Sequence, residues 1–71
     1  MSFGKLLQAL RGRAGLTRRE LARRAGVAET TLRGWEVDRG MPKIPALVRL
    51  AGVLGVPVEQ FADAMEDYPR G

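Results

Sequence analysis

Seventy-one residues, 45% of them apolar, allow one small domain with one modest core. With no cysteine and no histidine, disulfides and the common zinc-ligand sets are excluded, so no metal or other cofactor is expected. The net charge of +4 is uneven: residues 1–43 hold ten Lys/Arg against four acids, residues 44–71 two against four.

The opening MSFGKLLQAL is too short and too polar for a secretory signal. No apolar run approaches the ~20 residues that span a bilayer. A cytoplasmic protein without membrane contact is the expectation. The first helix should run from a Ser2 cap to about Arg13, with Phe3, Leu7, Leu10 and Ala14 facing the core and Leu6 widening that stripe. Gly12 to Gly15 close it and turn the chain.

The stretch Leu16–Glu36, LTRRELARRAGVAETTLRGWE, organises the rest. Thr17 can cap a second helix, and Glu20 three residues on completes a capping box. Leu16 serves as the hydrophobic staple ahead of the cap. Leu21 and Ala25 share a face, and Gly26 stops the helix because glycine takes the left-handed backbone without a Cβ penalty. After Val27 and Ala28 a third helix restarts near Glu29, with Leu32 and Trp35 on its inner face. A firm stop, a three-residue turn and an immediate restart form a helix-turn-helix pattern. Steps of about 100° per residue put Glu29, Thr30, Arg33 and Gly34 on the outer face.

The loop Val37–Lys43 carries Arg39 and Lys43. Pro45 suits the first turn of a fourth helix reaching about Leu54, with Ile44, Leu47, Leu50, Ala51 and Leu54 inside. Gly55 ends it. Val56 and Val58 flank Pro57, and a short fifth helix carries Phe61 and Met65 to close the core. Any of these left exposed are dimer contacts. Residues 1–65 form the domain; 66–71 are an acidic, then Pro-Arg-Gly, tail expected to fray.

The run Gly15-Leu16-Thr17, Glu20-Leu21-Ala22, Ala25-Gly26-Val27, Thr31-Leu32 and Trp35-Glu36 resembles the Cro/repressor-type, or XRE-like, helix-turn-helix family. The match extends from about Phe3 to Phe61. The resemblance implies an all-α, compact five-helix domain of the lambda-repressor-like type, with the helix-turn-helix in helices 2 and 3. It also implies base reading in the major groove by Glu29, Thr30 and Arg33. Arg33 is suited to two bonds with guanine, and Thr30 to a thymine methyl or a polar edge. Glu29 either accepts from cytosine N4 or favours the helix start through the dipole. Gly34 either allows close approach to the backbone of DNA or has no role. Thr17, Arg18, Arg23, Arg39 and Lys43 are the implied phosphate contacts, with Arg18 standing where the family often has glutamine. The loop either rides over the phosphates or is a plain surface loop. Arg11 and Glu36 are the implied structural ion pair, the other reading being two unrelated surface charges. Three positions depart from the family: Ala28 and Lys43 replace capping serines, and Val37-Asp38 follows Glu36 where a glycine two residues on is favoured.

The expected function is a sequence-specific double-stranded DNA-binding transcriptional regulator, with repression the expected sense, acting as a homodimer on two half-sites. The alternative is a protein-interaction module of the same fold without base readout. Within the DNA-binding reading, a protein partner is expected if the chain is antitoxin-like or the DNA-binding part of a longer chain. An enzyme is not expected, because the carboxylates form no catalytic pair.

Overall fold

Residues 1–65 are described by the computed structural model. The tail at 66–71 lies outside the described residues. In chain order the helices are α1 Phe3–Arg13, α2 Arg18–Ala25, α3 Glu29–Glu36 and α4 Ile44–Leu54. Ser2 caps α1 by accepting from the Lys5 N–H at 3.2 Å. The capping box at α2 has both arms: Thr17 Oγ1 accepts from the Glu20 N–H at 3.0 Å, and the Thr17 N–H donates to Glu20 Oε1 at 2.8 Å. The Thr17 backbone N–H, and after it the Thr17 hydroxyl, hold the Glu20 carboxyl below its ordinary range. Gly26 (φ 71°) ends α2 and Gly55 (φ 70°) ends α4, both left-handed.

A helix is only as useful as the face it buries. Phe3, Leu7 and Leu10 of α1, Leu21, Ala22 and Ala25 of α2, Leu32 of α3, and Leu47, Leu50, Ala51 and Leu54 of α4 share one core. α1 packs on α3, and α2 on both α3 and α4. Arg49 ties α4 to α2 by donating from Nε to the Ala25 carbonyl at 2.9 Å, which satisfies an end carbonyl that α2 cannot bond itself.

The expected fifth helix is not an α-helix. Two 3₁₀ turns, Val58–Phe61 and Asp63–Met65, occupy the segment. Their bonds span three residues, as in Gln60 N–H to Pro57 O at 2.9 Å and Met65 N–H to Ala62 O at 3.1 Å. Each bond closes over three residues rather than four, the tighter geometry that serves short pieces and connectors. One side chain fixes it: Phe61 is fully buried and its ring lies 5.4 Å from that of Phe3.

Four core assignments need correction. Ala14 is exposed, because α1 ends at Arg13 and Ala14 sits in the cap. Ile44 is 60% exposed; the inner stripe of α4 starts one turn later at Leu47, and Pro42 is buried ahead of the helix. Val58 is exposed, whereas Val56 packs against the core as expected. Trp35 is half-buried against the core, since the innermost place at the end of α3 belongs to Glu36.

Gly4 sets how closely α1 and α3 approach. A Cβ there would stand 2.7 Å from the Trp35 carbonyl oxygen and closer still to that of Glu36. Both are backbone atoms and cannot swing away. On helix propensity alone Gly4→Ala should stabilise α1 by up to ~1 kcal/mol. The packing reverses the sign. We expect a loss of about 1–3 kcal/mol, read as a lowered Tm in thermal circular dichroism; an unchanged or raised Tm would show that α1 and α3 separate freely.

Candidate nucleic-acid interface

The site is built from the last turn of α3 outward. Glu36 is 1% exposed, yet a buried carboxylate is costly unless hydrogen-bonded donors surround it. Three donors do. Arg11 Nε donates to Oε2 at 2.7 Å and Arg11 Nη2 to Oε1 at 3.2 Å. Arg18 Nε donates to Oε1 at 3.1 Å. Arg11 Nη1 continues to the Leu16 carbonyl at 3.1 Å, so one guanidinium joins α1, the α1–α2 turn and α3. The main-chain carbonyl of Glu36 accepts from Gln8 Nε2 at 2.8 Å.

Beyond Glu36 the chain leaves the helix through a two-bond cap. The Asp38 N–H donates to Trp35 O at 3.2 Å and the Arg39 N–H to Gly34 O at 2.8 Å. Asp38 takes the left-handed position (φ 60°) that glycine usually fills. Aspartate tolerates that backbone better than most residues. Here its side chain has work that glycine could not do. Asp38 Oδ1 accepts from the Gly4 N–H at 2.9 Å, and the Ser2 hydroxyl also bonds its carboxylate. One residue therefore ends α3 and satisfies the start of α1.

This geometry leaves the outer face of α3 clear. Glu29, Thr30 and Arg33 are all exposed. Thr30, Arg33, Gly34, Val37 and Arg39 line an open depression beside the helix, so two of the three proposed base readers and one loop cation face the same space. Glu29 lies at the first turn and does not line it. Ala28 and Lys43 cap α3 and α4 without side-chain bonds.

The remaining expected phosphate contacts are dispersed. Thr17 is exposed but its hydroxyl already accepts within the capping box. Arg23 is exposed on α2, and Arg39 and Lys43 are exposed on the loop. Arg18 departs most from a free surface cation, since its Nε is held by Glu36. Sequence reasoning missed four residues: the spacer Gly4, the cap donors Gln8 and Arg49, and the exposed Val37 that walls the depression. Their partners lie far along the chain, and only Val37, an apolar residue just past a helix end, left a local signal. Among the described residues no group of His, Cys, Asp and Glu is arranged to hold a metal ion, and no helix is long and apolar enough to cross a membrane.

The Ser2 and Gly4 bonds hold the Asp38 carboxyl below its ordinary range. A depressed folded-state value means stability that is fully present above the ordinary carboxylate pKa and is lost as pH falls through the lowered one. Asp38→Asn keeps size and backbone tolerance but removes the charge. Its stability deficit against the parent should be largest near neutral pH and shrink on acidification below about pH 4. Denaturant melts across that range test it; a deficit independent of pH would exclude the ionised cap.

Comparison with known proteins gives one family. A family model described as a helix-turn-helix domain matches residues 2–64. No curated protein matches the chain.

Proposed function

Because the chain belongs to the helix-turn-helix domain family, we propose that it is a sequence-specific double-stranded DNA-binding regulator of transcription, with repression as its sense. The observation that carries this reading is the unobstructed outer face of α3, where Thr30, Arg33 and Arg39 surround one open depression. An α-helix fits the major groove, about 12 Å wide. Arg33 presents a planar fork suited to guanine O6 and N7, and Thr30 a methyl and a hydroxyl. Glu29 reads cytosine or stabilises the helix start. Arg18, Arg23, Arg39, Lys43 and the turn at Thr17 hold phosphates and set orientation without carrying sequence information.

A homodimer on two half-sites is compatible with the size of the domain. Half-sites repeat about 34 Å apart, while the domain measures 29 × 22 × 20 Å. Two copies centred one turn apart meet only edge to edge. The interface between them is small, so dimerisation belongs to the DNA complex rather than to free solution. The domain is assigned to residues 1–65, in the cytoplasm, with no enzymatic role.

Selection from a random duplex pool, with the winners titrated over a salt series, tests the reading. A two-fold symmetric consensus supports a dimeric sequence reader; binding without enrichment leaves a basic surface that holds phosphates only. No binding at low salt transfers the fold to a protein-interaction role. Within the selected site, Arg33→Ala should relax preference at one base position and cost roughly 1–3 kcal/mol there. An unaltered preference profile would remove Arg33 from the reading set.

A further inference from the structure

We propose that Glu36 is a positioning residue for phosphate binding, holding the Arg18 guanidinium by its Nε so that the terminal amino groups face a backbone phosphate. The inference rests on the DNA-binding reading above. It starts from a charge imbalance. One buried carboxylate carries two guanidinium groups, which leaves one surplus positive charge at the junction of α2 and α3. Arg11 alone would neutralise Glu36, because it makes two of the three bonds to the carboxylate and spends its third on Leu16. Arg18 is not needed to satisfy the buried oxygens.

What the second arginine gains is a fixed orientation. Its side chain is 33% exposed while that of Glu36 is fully buried. Of five N–H donors on the guanidinium, only Nε is engaged; neither terminal amino group has an acceptor among the described residues. Arg18 is also the first residue of α2. The capping box satisfies Glu20 and Thr17 there, and the Arg18 and Arg19 N–H groups keep no partner inside the helix. Surplus charge, free fork donors and the positive end of the α2 dipole thus coincide, and the chemistry they recognise is a phosphate. An unheld arginine would have to lose rotamer freedom on binding; Glu36 removes much of that loss beforehand. Because Glu36 is the last residue of α3, the phosphate grip and the reading helix share one anchor.

The test is a double-mutant cycle on a short duplex of unselected sequence, since phosphate contacts do not depend on sequence. The parent, Arg18→Gln, Glu36→Gln and the double variant are titrated at several salt concentrations, below the Tm of each. Arg18→Gln should weaken binding about tenfold and flatten the salt slope by about 0.9. Glu36→Gln adds net positive charge, so simple attraction would strengthen binding; positioning requires it to weaken instead, by roughly three- to tenfold. In the Arg18→Gln background the Glu36 substitution should then have no weakening effect. Equal weakening in both backgrounds would mean a merely structural carboxylate, and tighter binding would mean net charge alone; either overturns the proposal. If Glu36→Gln does not fold, Arg18→Lys decides, because it keeps the charge but lacks the fork and the Nε: weaker binding at an unchanged salt slope is expected, and parental affinity overturns positioning. A parent that binds no duplex even at low salt overturns the DNA-binding reading and this inference together. Binding with a failed cycle overturns this one alone.

Discussion

A carboxylate with no water around it must be surrounded by donors, and in this domain that requirement falls on Glu36. Its two oxygens draw Arg11 from α1 and Arg18 from α2 to the end of α3. Its main-chain carbonyl draws Gln8 to the same point. Three helices are thereby tied through polar groups whose geometry is directional, whereas the apolar contacts around them are not. Such a cluster specifies arrangement more surely than it adds stability, since the bonds must first offset the desolvation of the charges. Losing Arg11 would take two of the three bonds from the buried carboxylate. The absence of any unsatisfied buried side-chain polar atom among the described residues shows how completely the requirement is met.

Close approach makes the cluster possible. Gly4 lets the backbone of α1 rest on the Trp35 and Glu36 carbonyls, and Asp38 closes the same junction from the loop side. α3 is short, eight residues, and begins without a side-chain cap. An isolated helix of that length is unstable in water. Here its far end is fixed by Arg11, Gln8, Gly4 and Asp38, and its middle by the fully buried Leu32. Fixing the far end and the inner face frees the outer face from any structural duty. Thr30 and Arg33 are exposed because nothing in the fold needs them.

The basic residues divide along the same line. Arg11 and Arg49 are spent within the fold, one on Glu36 and Leu16, the other on the carboxyl end of α2. Arg23, Arg33, Arg39 and Lys43 are exposed. Arg18 belongs to both groups, bonded inward at Nε and partly exposed. A formal charge of +4 therefore understates how selectively the positive groups are placed.

By itself the sequence determined the four α-helices and their limits, because those depend on local chemistry: the Ser2 cap, the Thr17–Glu20 box, the left-handed glycines at 26 and 55, and the 3–4 spacing of Leu7, Leu10, Leu21, Leu32, Leu47 and Leu50. It also located the outer face of α3, since helical periodicity alone separates Arg33 from Leu32. Tertiary structure alone decided the rest. That Trp35 yields the innermost place to Glu36, that Ile44 faces outward, that Gly4 must lack a side chain, that Asp38 caps a helix 34 residues away in sequence, and that one carboxylate gathers two arginines are all contacts between distant segments. The final 3₁₀ turns belong with them, held by Phe61 against Phe3 of α1, far away in the sequence.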